Sequence, residues 1–146
     1  MPEILPIAAL SLACLIAAAF DVAMRRIPNW LNLIILIGGL GYLMSLADLE
    51  GTLLHLAHFA LALGASMLLF GLRMWGGGDA KFYSAVAVWF PLSQAPLLAA
   101  FTAVSGLALL IVVFVRSRLQ GRPEHLRDLP YGVAIACGTL IVAALG

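Results

Sequence analysis

The chain has 146 residues, the size of one compact domain; 64% of them are hydrophobic and only 10% are charged. Ordinary soluble domains carry about 25% charged residues, and a mean hydropathy of +1.09 leaves too little polar surface to cover a globule in water. With a net charge of +1 and no long basic run, the composition excludes a soluble enzyme, a disordered chain and a nucleic-acid binder, and leaves an integral membrane protein.

The spans follow in order, each set against the roughly 20 residues that a bilayer requires. The first apolar stretch runs from Ile4 to Phe20. The only charge before it is Glu3, where a secretory signal would carry a basic n-region, so it is expected to remain as a permanent span. Nothing breaks it before Pro28, and it is expected to continue through Asp21 towards Arg25, because the residue before a proline avoids the α region. Helix 2 is expected over Trp30 to Ala47, helix 3 over Thr52 to Leu72, and a short helix 4 over Asp79 to Phe90. Pro91 and Pro96 bracket a tight turn into helix 5, which is expected to end near Val115; helix 6 runs from Pro130 to Gly146. The predicted fold is all-α, a single polytopic membrane domain over residues 1–146 with about six transmembrane helices.

The charges give this bundle a direction. With six spans, Arg25, Arg26, Arg73, Lys81, Arg116, Arg118, Arg122 and Arg127 all fall on one side, and the other side holds Glu3, Asp48 and Glu50. By the positive-inside rule the basic side is cytoplasmic and both termini are periplasmic. The four arginines after helix 5 are mainly a topology signal, with contact to anionic membrane lipid as a further use.

Charges within or at the edge of a span are costly, and so are functional candidates. Asp21 sits about a turn inside the basic flank of helix 1, and Asp79 opens helix 4 directly after Gly76-Gly77-Gly78. Each has a plainer explanation. Asp79 could be an N-cap. Asp21 could pair with Arg25, four residues on, although the helix dipole disfavours an anion there. Together they suggest more, because two carboxylates held a few ångströms apart share one proton between them. Such a pair can position a water, take its proton and protonate a scissile carbonyl. The three glycines would let backbone approach a substrate closely, or would simply be a turn.

Other polar groups carry less chemistry. Lys81 points about 200° away from Asp79 on a helix and suits snorkelling or a lipid phosphate better than catalysis. His55 and His58, one turn apart near the outer end of helix 3, are expected at the interface, with no third ligand in sight for a metal. Asn29 and Asn32 are expected to cap or begin helix 2, or to line the site. Cys14 and Cys137 form no CxxC pair and no zinc spacing, so no metal and no cofactor is expected.

Three blocks resemble one family. Asp21 with Arg25-Arg26-Ile27-Pro28-Asn29-Trp30, then Gly76-Gly77-Gly78-Asp79-Ala80-Lys81, then Leu129-Pro130-Tyr131-Gly132-Val133-Ala134-Ile135-Ala136 look like the bacterial prepilin peptidases of the GxGD aspartic protease class. The blocks occur in that family's order. The resemblance implies that Asp21 and Asp79 are the catalytic pair. Gly76, Gly77, Gly78, Asn29, Lys81, Pro130, Tyr131 and Gly132 would shape the site or bind substrate. It implies prepilin or pseudopilin substrates cut on the cytoplasmic side of a bacterial inner membrane. The chain lacks the large cytoplasmic insertion and paired CxxC motifs of full-length members. It therefore looks like the short members that serve Flp-type pili of tight-adherence systems, for which N-methylation is not expected. Rival readings are a small proton-coupled transporter, whose site would lie near the midplane on interrupted helices, and a non-catalytic assembly subunit of a secretion complex.

The topology is testable directly: reporter fusions after Asp48 and at Gly146 are expected to read as periplasmic, and fusions after Arg73 and Arg122 as cytoplasmic. A cytoplasmic C-terminus would mean that one span is wrong.

Overall fold

The computed structural model describes residues 4–46, 48–120 and 129–146. Among these are six α-helices and no strand: α1 (Ile4–Met24), α2 (Asn29–Leu46), α3 (Leu49–Gly71), α4 (Gly77–Ala87), α5 (Ala95–Gln120) and α6 (Tyr131–Leu145), with a 3₁₀ turn at Leu92–Gln94 before α5. Ile4–Met24, Asn29–Leu46, Leu49–Gly71 and the run Leu92–Gln120 are each long and apolar enough to cross a membrane, and Tyr131–Leu145 is a shorter apolar helix. Leu12, Ile37, Leu61 and Val104 are all more than half exposed. In water such outward faces would be a large apolar patch; in a multi-pass membrane protein they face lipid. Glu3, Ala47, Arg122 and Arg127, used in the sequence reading, lie outside the described residues.

Boundaries move where hydropathy is silent about caps. Helix α3 starts at Leu49 because Asp48 caps it, its carboxylate accepting from the N–H groups of Glu50 at 3.2 Å and Gly51 at 2.9 Å. Helix α5 runs five residues past Val115, since apolarity ends with the membrane but helix need not; Arg118 there lies 5.3 Å over the ring of Phe114, one turn back. Helix α4 is expected from Asp79 to Phe90 but spans Gly77–Ala87. After Ala87 the bonds tighten to three-residue closures, Trp89 N–H to Val86 O at 3.0 Å and Phe90 N–H to Ala87 O at 3.2 Å.

This short helix is the centre of the molecule. Phe82, Val86, Ala87 and Val88 have no exposed surface, and α4 packs on α3, α2 and α6. Its 11 residues reach only about 16 Å, well short of a full span. Helix α2 comes close alongside it at Gly39, where a Cβ would collide with Val88 Cγ1 and stand 2.9 Å from Trp89 Nε1. One turn back, Trp89 Nε1 donates to the carbonyl of Ile35 at 2.9 Å.

The last carbonyls of a helix have no intrahelical partner and must find donors elsewhere. Here α3 supplies the donors. His55 Nδ1 donates to Val88 O and His58 Nδ1 to Phe90 O, each at 2.9 Å. Both histidines are buried, His58 to 1% exposure. The interfacial role expected of them is therefore wrong: their i, i+3 spacing matches two carbonyls at the end of a neighbouring helix. A carbonyl only accepts, so Nδ1 carries the proton on each ring.

The bond rather than the ring should matter. His58→Leu is expected to lower unfolding stability in detergent by about 1–3 kcal/mol, the cost of an unsatisfied buried carbonyl. His58→Asn, which keeps a donor at the Nδ1 position, should recover most of that loss in the same denaturation experiment.

Candidate active site

Asp21 lies in the last turn of α1 and is 5% exposed. Its Oδ2 accepts the N–H of Gly132 at 2.7 Å, a contact across 111 residues that ties α1 to the start of α6. Only glycine fits there: a Cβ on residue 132 would stand 2.7 Å from Asp21 Oδ2 and 2.8 Å from Ile27 Cδ1. The donor is available because the first N–H groups of a helix have no intrahelical partner, and Gly132 is the second residue of α6, after Pro130 at its N-cap. The dipole there also favours an anion, which offsets the unfavourable position of Asp21 at the end of its own helix.

Asp79 is the third residue of α4, so the N-cap reading does not hold; Gly76 occupies that position. The Asp79 Oδ2 reaches back to accept the Gly76 N–H at 3.2 Å, the acidic half of a capping box.

Asp21 and Asp79 line one cavity of about 810 Å³ at the basic end of the bundle. Its other walls are Phe70 and Gly71 of α3, the connecting residues Arg73 to Gly76, Arg25, Leu129 and Tyr131. Trp75 is fixed by an edge contact to Tyr83 at 5.3 Å between ring centroids and by Tyr131 at 6.4 Å. Of the glycine triplet, Gly76 lines the cavity. A Cβ at Gly77 would face Phe70 at 3.5 Å, and one at Gly78 would face the Ile27 backbone at 3.6 Å, so Gly78 seats α4 against the turn between α1 and α2.

The remaining sequence candidates divide. Gly132 and Tyr131 reach the site. Lys81 and Asn29 pair with each other instead, Nζ donating to Oδ1 at 3.0 Å, which joins α4 to the first residue of α2. This gives Lys81 a protein partner where a lipid phosphate was expected. Asn32 is no cap; it is the fourth residue of α2 and buried, and its side-chain amide has no partner among the described residues.

The sequence presents Arg73 as a topology signal, and Arg25 as that and as a candidate partner of Asp21. Both line the cavity, and both hold positive φ, 52° and 60°, among the described non-glycine residues. Each follows the end of a helix. At Arg73 the closing bonds are Arg73 N–H to Phe70 O and Met74 N–H to Leu69 O, both 2.9 Å, the left-handed ending that usually selects glycine. For Arg73 the available signal is a helix end just before a glycine run, and for Arg25 one just before Pro28.

The fold and site define a multi-pass membrane protein with two carboxylates facing one cavity at its basic end. Residues 8–111 match the family model described as the type IV leader peptidase family, and the chain belongs to that family; it is a membrane peptidase. The match includes Asp21 and Asp79 and ends before α6. No match is found among curated proteins or among solved structures.

Gly132→Ala should expose the dependence on the α1–α6 contact. Displacing the Asp21 carboxylate by the missing ångström is expected to cut peptidase activity about 10²-fold, with normal accumulation in the membrane. Gly64→Ala, where a Cβ meets nothing within 4 Å, is the control and should retain activity in the same cleavage assay.

Proposed function

We propose that this chain is an aspartic endopeptidase that removes the short basic leader from type IV prepilins or pseudopilins, of the Flp type, at the cytoplasmic face of a bacterial inner membrane. The observation that supports this most is that Asp21 and Asp79, from helices far apart in sequence, line one cavity. With one proton between them, the ionised carboxylate takes a proton from a water as its oxygen attacks the scissile carbonyl carbon, while the protonated one gives its proton to the carbonyl oxygen. Collapse of the tetrahedral species returns a proton to the amide nitrogen and breaks the C–N bond, leaving a leader carboxylate and a new amine.

Processing without methylation goes with this reading. Three residues, Ile27 to Asn29, separate Arg26 from Trp30, and the Arg116 to Leu129 segment is far below the ~50 residues at which independent domains begin. No Rossmann-type glycine fingerprint is present to hold a methyl-donor nucleotide.

The test is co-expression with an Flp-type prepilin in a host lacking other prepilin peptidases, following pilin size. Asp21→Asn and Asp79→Asn should each abolish the shift while the protein still accumulates, because asparagine cannot exchange the required proton. Processing by either variant would sink the assignment. Mass spectrometry of the mature pilin should find a free N-terminal amine; a methyl group that depends on expression of this chain refutes the second part.

A further inference from the structure

A second cavity, of about 460 Å³, lies between α3 and α5. It exists because α3 packs on α4 while α5 packs on α6, and the two outer helices are not drawn together. Ala65 and Leu69 form one wall and Ala99, Ala103 and Leu110 the other, with Tyr83 between them. Ala65, Ala99 and Ala103 are exposed, so the groove opens sideways, at the depth of two helices long enough to span the membrane. From Ala99 to Leu110 it extends about 16 Å, three helical turns. At its basic end it shares Met74, Trp75 and Tyr131 with the cavity that holds the two carboxylates.

We infer that this groove is the docking track for an apolar helical segment of the substrate adjoining the scissile bond, with Ala65 and Ala103 setting how closely that helix seats. The inference rests on the peptidase reading above. A polypeptide lying at this depth has no water for its backbone, so it must satisfy its own N–H and C=O groups as a helix and present apolar side chains. Alanine walls let such a helix approach closely, as small residues do at membrane helix interfaces. The occupant follows from the shared walls. A groove for a lipid chain has no need to open onto the carboxylate cavity, and a second copy seated in it would block the lateral route to that cavity. A substrate helix along α3 and α5 instead delivers its adjoining extended segment past Trp75 and Tyr131 to Asp21 and Asp79.

The test uses the purified full chain in phosphatidylethanolamine–phosphatidylglycerol vesicles with two probes: an Flp-type prepilin, and a water-soluble peptide spanning the same cleavage site without the apolar segment. The readout is the ratio of kcat/KM for prepilin over peptide. Ala103→Trp, which fills the groove, is expected to lower this ratio at least tenfold through KM for the prepilin. Val112→Trp, on the opposite, exposed face of α5, should leave it within twofold. An unchanged ratio in Ala103→Trp overturns the inference, as does an equal fall in Val112→Trp. A photo-crosslinking residue at Ala65 keeps the question open to decision if the tryptophan variant fails to accumulate: capture of the prepilin supports the track, and capture only of lipid or of a second copy overturns it. Failure of the wild-type chain to cut either probe would instead overturn the peptidase reading itself.

Discussion

A helix too short to cross the membrane stands at the centre of this bundle, and both of its ends must be satisfied inside the protein. At the far end the carbonyls of Val88 and Phe90 accept hydrogen bonds from His55 and His58. At the near end the Gly76 N–H is met by Asp79 itself. Lateral packing of Phe82, Val86 and Val88 fills the space between with no exposed surface. The far end of α4 is thus held by α3, and at the near end the Gly76 N–H orients the Asp79 carboxylate. Elements that look like separate details, a histidine pair, a glycine at position 39 and a tryptophan bonded to Ile35, all fix the same short helix.

Asp21 is held by a different logic. A carboxylate in the last turn of a helix faces the partial negative charge of its own carbonyls. The remedy is a second helix whose N-terminus points at it. Gly132 provides an N–H at 2.7 Å, and the absence of a side chain there is what permits the approach. One carboxylate therefore depends on α6 and the other on α3, so the cavity between them is assembled only when four helices are in place. This is why the residues concerned are spread over more than 100 positions of sequence.

Hydropathy made the helices legible because lipid imposes length and apolarity on each of them. The two carboxylates were legible for the complementary reason: an acidic residue at a span edge needs a justification. What stayed hidden depends on partners distant in sequence. His55 and His58 read as interfacial because nothing local says that a neighbouring helix stops at their level. Lys81 and Asn29 are 52 residues apart, and no periodicity joins them. The role of Gly132 was approached only through a resemblance, since a glycine near a helix start has no signature of its own. Arg25 and Arg73 were counted as charges, whereas their left-handed backbone places them as helix endings that also wall the cavity. The start of α4 was misjudged by two residues because the acidic residue reaches backwards from the third position rather than capping from the front.

The same packing separates the peptidase reading from the transporter one. Transport requires that a polar site be reached from each face in turn, on elements broken near the midplane. In this bundle the carboxylates sit at one end, and the space beyond them is taken up by Cys14, Ala17, Phe82, Val86 and Ile135, all fully buried or nearly so. Farther on, α4 terminates against the histidines of α3, and Trp89 stacks on Tyr42 with centroids 5.9 Å apart. To open a path from that side, α4 would have to break both His–carbonyl bonds and the Trp89–Ile35 bond. A site open at one end and closed by an anchored helix at the other is suited to chemistry on a segment presented and released on one side of the membrane, which peptide hydrolysis allows and carriage across the membrane does not.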